Sequence, residues 1–167
     1  MPLSYIALGS NLGDKKNNIL EAFDHVSSLG NTSNLSDLYE TIPQGFSSQP
    51  TYINAVCDLQ TFLTPWDLLH KLKDIENMVG RTRSFINAPR IIDIDILIYG
   101  ELNIESPGLT VPHPTMHMRY FVLKPLLDLN PFIKHPVWGG FLSRFAAKLD
   151  PTSVRECLAD STLVNKP

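Results

Sequence analysis

The stretch Ile92-Asp93-Ile94-Asp95-Ile96-Leu97-Ile98-Tyr99 constrains this chain more tightly than any other. Apolar side chains at 92, 94, 96 and 98 alternate with Asp93, Asp95, Leu97 and Tyr99, and β-branched residues dominate. That is the period of a strand with one buried face. Residues i and i+2 of a strand share a face and lie about 6.5–7 Å apart along it. The spacing therefore predicts that Asp93 and Asp95 stand side by side. Like charges so placed raise each other's pKa unless something positive joins them. Mg²⁺, which takes one or two protein carboxylates and completes its shell with water and phosphate oxygens, meets that need. An ordinary edge strand with solvated aspartates paired to lysine or arginine has the same alternation. The neighbouring residues favour the metal: Arg81, Arg83 and Arg90 precede the pair, and His113 and Arg119 follow it. Carboxylates for a metal beside guanidiniums for phosphate oxygens is the composition of a phosphoryl-transfer site.

The same patterning orders the rest of the chain. Leu3 to Leu8 reads as a first strand, ended by a tight turn through Gly9-Ser10-Asn11-Leu12-Gly13. Asp14 is an N-cap for a helix with Ile19, Phe23 and Val26 on one stripe, stopped at Gly30-Asn31. A weaker strand follows over Leu35 to Glu40, then a polar loop from Pro43 to Pro50, then a strand from Tyr52 to Phe62. In that strand Ile53, Ala55, Cys57 and Leu59 share one side, while Tyr52 and Asn54 point the other way. Thr64-Pro65 opens a second helix with the buried stripe Leu68, Leu72, Ile75 and Val79, and Gly80 ends it. A loop over 81–89 leads to the aspartate strand. The order β-α-β-β-α-β predicts an α+β, ferredoxin-like fold, an antiparallel sheet with both helices on one face. The isoleucines at 92, 94, 96 and 98 are expected to meet the helices. Asp93 and Asp95 are expected on the open face with Tyr52 and Asn54. A C-terminal extension completes the chain, with short helices expected within Met118–Leu129 and Gly140–Leu149 and a frayed end.

At 167 residues the chain is expected to form a single domain spanning 1–167, with enough core to need no disulfide or structural metal. Its 43% apolar and 19% charged residues are those of a globular protein. A formal net charge of −3 argues against a nucleic-acid binder, although the arginines between 81 and 119 permit a local positive cleft. The two cysteines, Cys57 and Cys157, lack metal-ligand spacing, and Cys57 reads as a small buried hydrophobe. No signal peptide or membrane-length apolar run is seen, so a cytoplasmic protein with no membrane partner is expected; a monomer is expected as well, without a sequence feature that fixes the oligomeric state.

Five segments in order bring out a resemblance: Ala7-Leu8-Gly9-Ser10-Asn11-Leu12-Gly13, Tyr52-Ile53-Asn54-Ala55, Gly80-Arg81-Thr82-Arg83, Ala88-Pro89-Arg90-Ile91-Ile92-Asp93-Ile94-Asp95-Ile96-Leu97, and Thr110-Val111-Pro112-His113. Together they resemble the 6-hydroxymethyl-7,8-dihydropterin pyrophosphokinases of folate biosynthesis, over about residues 4 to 130. That resemblance implies transfer of pyrophosphate from ATP to the hydroxymethyl oxygen of a reduced pterin, releasing AMP. It implies two Mg²⁺ ions held by Asp93 and Asp95. Tyr52 and Phe121 would sandwich the pterin ring, with Asn54, Thr41, Ile42, Pro43 and Gln44 reading its edge. An amide suits such a heterocycle because it offers both a donor and an acceptor. Arg81, Arg83, Arg90, Arg119 and His113 match positions that engage the triphosphate. Arg81 and Arg90 would stand with the aspartates as the catalytic set. Lys73, Glu76, Ile96 and Thr110 would complete the ATP site.

The chain also departs from the family pattern. A basic residue and a tryptophan that usually precede the Ala-Pro-Arg step are here Ile86 and Asn87, and the segment between Arg83 and Pro89 is one residue short. Gly108, Pro114 and Lys73 replace residues that are commonly arginine, tyrosine and glutamine. The tryptophan helps seal the substrates from water, and Phe85 is expected to take its place as an apolar lid. These departures leave open a catalytically weakened paralogue that binds pterin and ATP. A two-metal phosphohydrolase is a further alternative. An RNA-binding module on the same sheet is disfavoured by charge and by the absence of an aromatic RNA-binding run.

Overall fold

The computed structural model describes residues 1–31, 34–41, 50–80 and 90–157. Its main sheet holds β1 (Leu3–Ser10), β2 (Tyr39–Thr41), β3 (Tyr52–Gln60), β4 (Asp93–Tyr99) and a late strand, Val154–Glu156. The strand order is β4-β1-β3-β2 followed by the late strand, with every pairing antiparallel. Two helices, α1 (Lys15–Ser27) and α2 (Pro65–Met78), connect β1 to β2 and β3 to β4. This is the ferredoxin-like arrangement that the order of elements predicts, with one strand added at the β2 edge.

Local chemistry explains the boundaries. Asp14 caps α1 by accepting the Asn17 amide at 3.1 Å, and Thr64 caps α2 by accepting the Asp67 amide at 3.2 Å. Gly80 follows α2 at a φ of 104°, a backbone angle that favours glycine. Strand β1 runs two residues past its expected end, so Gly9 and Ser10 belong to the sheet and the turn starts at Asn11. Strand β2 is shorter than expected. Leu35 makes only an isolated bridge to Cys57, and the Ser36 hydroxyl takes the Val56 amide at 3.0 Å. That side-chain bond stands in for part of the backbone ladder.

Two apolar clusters flank the sheet. One packs Ile6, Leu8, Ile53, Ala55, Cys57, Ile92, Ile94 and Ile96 against Ile19, Val26, Leu68, Leu72 and Ile75 of the helices. The second lies on the opposite face, where Tyr5, Val56, Leu97 and Ile98 meet Met116, Val122, Leu123 and Leu126. The expectation that this face is open is therefore corrected. Helix α3 (Tyr120–Leu129) and the short helix α4 (Ser143–Ala146) cover part of it. Ile98 is a second correction, since it joins this cluster rather than the one under the helices. Pairing along β1 jumps from Ile96 opposite Ile6 to Ile98 opposite Tyr5, so Leu97 is an extra residue in β4. Such a bulge reverses the alternation beyond it, which sends Tyr99 to the helix side, where its hydroxyl reaches the Leu63 carbonyl.

Residues 102–118 form an excursion that the sequence pattern left unassigned. A hairpin of β5 (Ile104–Ser106) and β6 (Leu109–Val111) leads through a 3₁₀ turn at Met116–Met118 into α3. The late strand Val154–Glu156 is β7, paired with β2. The expected fraying of the last residues falls on 158–167, outside the described residues. Among the described residues no helix is long and apolar enough to cross a membrane.

Candidate active site

Where the second cluster stops, the sheet face forms the floor of a cleft of about 550 Å³. The floor is built from register. Asn54 of β3 pairs with Gly9 of β1, and Gly9 pairs with Asp93 of β4. One row further along, Val56 pairs with Ala7, and Ala7 with Asp95. The central strand thus contributes glycine and alanine between an amide on one side and two carboxylates on the other. A Cβ at Gly9 would come within 3.2 Å of Asn54 Oδ1, so glycine keeps the amide in place. The small residues of β1 are a part of the site that motif reading passed over. Their i, i+2 spacing, in phase with the aspartates once paired, was the available signal.

Asp93, Asp95, Tyr52, Asn54 and Thr41 all line this cleft, so the predicted sharing of one sheet face holds. Thr41 Oγ1 accepts the Asn54 amide nitrogen at 2.9 Å, with both residues buried, which fixes which edge of the amide faces the cleft. Phe121, from the first turn of α3, lines it together with Arg119. Lys73, Arg90 and His113 complete the polar lining. The bulge helps to bring His113 there, because the Leu97 carbonyl accepts the His113 amide at 2.8 Å.

Arg90 is held from both sides. Its amide donates to Asn11 Oδ1 at 2.7 Å, and its carbonyl accepts the Asn11 amide at 3.0 Å. Its guanidinium grips Asp93 Oδ2 at 2.7 Å. Asp95 has a pKa above the ordinary carboxylate value. Burial is the main cause, and the neighbouring Asp93 charge adds to it, against the opposing pull of His113, Lys73 and Arg119. Burial lowers the pKa of His113, opposed by the Asp95 charge and reinforced by Arg119. Burial also raises the Tyr52 phenol.

Other expected site residues stand elsewhere. Glu76 is 1% exposed, and its Oε1 accepts from the Ile94 amide at 2.8 Å and from Lys73 Nζ at 3.1 Å. It fastens α2 to β4 rather than lining the cleft. Ile96 packs in the cluster beneath the helices, and Thr110 is exposed on β6. Ile42, Pro43, Gln44, Arg81, Arg83, Phe85, Ile86 and Asn87 lie outside the described residues. Among the described residues no group of three or more His, Cys, Asp or Glu is gathered for a metal. The donor set at the cleft is a pair of carboxylates whose charges strain against each other. That set suits a hard divalent ion that takes its other ligands from water and phosphate.

The sequence profile of the 7,8-dihydro-6-hydroxymethylpterin-pyrophosphokinase (HPPK) family matches residues 5–131. The chain belongs to this family. The pyrophosphokinase signature thus covers every strand and helix that builds the cleft. Among curated relatives, a 2-amino-4-hydroxy-6-hydroxymethyldihydropteridine pyrophosphokinase of Aquifex aeolicus is 39% identical over 145 residues, covering 87% of this chain and 91% of its own length. A folic acid synthesis protein FOL1 of Dictyostelium discoideum is 46% identical over 132 residues, 79% of this chain and 20% of that protein. The chain thus spans about a fifth of the length of such FOL1 relatives. A crystal structure of wild-type HPPK-DHPS from Plasmodium falciparum superposes with a TM-score of 0.71 at 18% identity, covering 88% of this chain and 44% of that one. At that identity the likeness speaks for the fold.

Proposed function

We propose that this chain transfers a pyrophosphoryl group from ATP to 6-hydroxymethyl-7,8-dihydropterin, with AMP as the second product, using Mg²⁺ held by Asp93 and Asp95. One observation supports this above all. A single cleft is lined by the carboxylate pair and by Tyr52, Asn54 and Phe121, with Gly9 of β1 between Asn54 and Asp93 in the sheet register.

Tyr52 and Phe121 take the faces of the heterocycle in this reading, and Asn54 with Thr41 reads its edge, together with Ile42, Pro43 and Gln44. Arg90, Arg119, His113 and Lys73 meet phosphate oxygens, with Arg81 and Arg83 joining them. Asp93 and Asp95 would hold Mg²⁺, which when bound would neutralise charge on the transferring group. Arg90 balances the Asp93 charge at 2.7 Å, and its guanidinium would be available to phosphate oxygens where a cation took over that part. His113 accepts the Thr115 amide through Nδ1 at 3.3 Å, which orients the ring and leaves Nε2 as its second polar atom. Catalysis then rests on placement and electrostatics, since the described residues supply no convincing general base. Glu76 acts from behind the cleft by fixing the start of β4. Residues 1–167 serve as one pyrophosphokinase domain, and both cysteines are free thiols, in keeping with a cytoplasmic setting.

The test is direct. The protein is incubated with ATP, Mg²⁺ and 6-hydroxymethyl-7,8-dihydropterin, and AMP is measured. Asp93→Ala and Asp95→Ala are each expected to lose roughly a hundredfold or more in turnover while keeping the native circular dichroism spectrum. Full activity in either variant overturns the assignment. Release of inorganic phosphate in place of AMP would show a phosphohydrolase.

A further inference from the structure

Tyr52 and Phe121, the two aromatic walls of the cleft, sit on elements that do not follow one another in the chain, so something must set their separation. Phe121 lies in the first turn of α3, which is poorly supported by its own helix. Arg119 at the N-cap makes no side-chain capping bond. Pro125 lacks the amide that would otherwise donate to the Phe121 carbonyl. A polar cluster outside the cleft lining compensates. Tyr39 of β2 is 2% exposed, and its hydroxyl donates to Asp128 Oδ2 at 2.5 Å. Lys124 Nζ donates to the same hydroxyl at 2.9 Å and to Asp128 Oδ1 at 2.5 Å, and lies 5.1 Å from the Tyr39 ring centroid.

The placement links this cluster to the substrate walls. Phe121, Lys124 and Asp128 follow at i, i+3 and i+7 on α3, one helical face. Tyr39 and Thr41 are i and i+2 on β2, one strand face, and they pair with Asn54 and Tyr52 of β3 respectively. The helix face that presents Phe121 is thus bolted to the strand that flanks Tyr52. Charge-assisted bonds of this kind are short and directional. Burial, then the Asp128 bond, pushes the Tyr39 phenol up to about 12, so it stays a neutral hydroxyl at working pH.

We propose that Tyr39, Lys124 and Asp128 form a clamp that sets the width of the slot between Tyr52 and Phe121. They are then positioning residues for the pterin, an inference that rests on the functional reading above. Tyr39→Phe keeps the ring and removes the bridging hydroxyl. It is expected to raise KM for the pterin about tenfold, the worth of one charged hydrogen bond, with KM for ATP unchanged. Asp128→Asn is expected to do the same, and the double variant no more than either alone. In the ligand-free protein both variants are expected to exchange the α3 amides at 121–124 faster than wild type. Should Tyr39→Phe fail to fold, Asp128→Asn at the helix surface reads the same bond. A wild type that forms no AMP sinks the functional reading and this inference with it. A wild type that forms AMP, with variants whose pterin KM stays within about twofold, overturns the clamp alone, as does unchanged amide exchange.

Discussion

At Asp95 the demands of the proposed chemistry run against those of the fold. Burial and the neighbouring Asp93 charge both work against its ionised form, so its pKa in the folded chain lies above the ordinary carboxylate value. A group shifted in that direction destabilises the native state once it is ionised, and the cost disappears when it is neutral. Asp95→Asn removes the charge at nearly constant shape. It is expected to raise the melting temperature of the metal-free protein at pH 7.5, while turnover falls by roughly a hundredfold or more. Added Mg²⁺ with a non-hydrolysable ATP analogue should raise the melting temperature of wild type and leave Asp95→Asn little changed, since a ligand stabilises only the state that binds it. Thermal melts in the four combinations check this. A metal-free Asp95→Asn protein that melts below wild type would contradict the electrostatic account. The pairing of these two aspartates was legible from the alternation alone, because a period of two fixes which side chains share a face. The room between them and Asn54 was not, since it depends on which residues of β1 they pair with.

At the scale of elements, caps, glycines and periodicity account for where the two long helices start and stop, while the shortened β2 and the bulge inside β4 come from side-chain and pairing chemistry. Ile98 shows the limit. Nothing in Ile96-Leu97-Ile98 announces a bulge, because all three residues suit either face, and only pairing with Ile6 and Tyr5 reveals it. The displaced Leu97 carbonyl then holds His113, so the irregularity belongs to the site. Asn11 is a related case. The turn Gly-Ser-Asn reads as a local feature, yet the Asn11 side chain and amide bracket the Arg90 peptide, and Asn18 Nδ2 reaches both Ser10 Oγ and the Ile91 carbonyl. The end of β1 is thereby stapled to the start of β4. Asn11→Ala is expected to leave the Arg90 amide without its partner at a cost of about 1–3 kcal/mol. It should raise KM for ATP more than KM for the pterin, because Arg90 loses its fixed origin. Chemical denaturation and steady-state kinetics on one preparation read both effects. Equal changes in the two KM values would show that the staple supports the whole cleft rather than Arg90.

Viewed whole, the described residues set the main sheet between two unlike layers, a pair of regular helices with the β5–β6 hairpin on one face and a patchwork of short pieces on the other. The helical side was readable because its stripes span three or more turns. The other side was not, because its elements are short, proline interrupts α3, and its contacts come from distant segments such as Asn130 Nδ2 on the Tyr5 hydroxyl at 3.0 Å. That patchwork has its own weak point. His135 is 4% exposed and stacks on Trp138 at 3.9 Å, and Trp138 also meets His117 edge-on at 4.7 Å. Burial lowers the pKa of His135, and the charge on His117 lowers it further. The unfolded chain therefore takes up this proton first as the pH falls. Stability contributed here is intact above the ordinary histidine pKa of about 6.5 and is lost as the pH drops from there through the lowered folded value. His135→Phe keeps a ring for stacking and has nothing to titrate. Its melting temperature is expected to fall less than that of wild type between pH 7 and pH 5, even if it starts lower for want of the Val137 amide bond to Nδ1. The loss in wild type should begin on this face, with the half-exposed Trp138 changing its fluorescence before the sheet and helices lose their circular dichroism. Parallel pH slopes for the two proteins would remove His135 as the source of acid sensitivity.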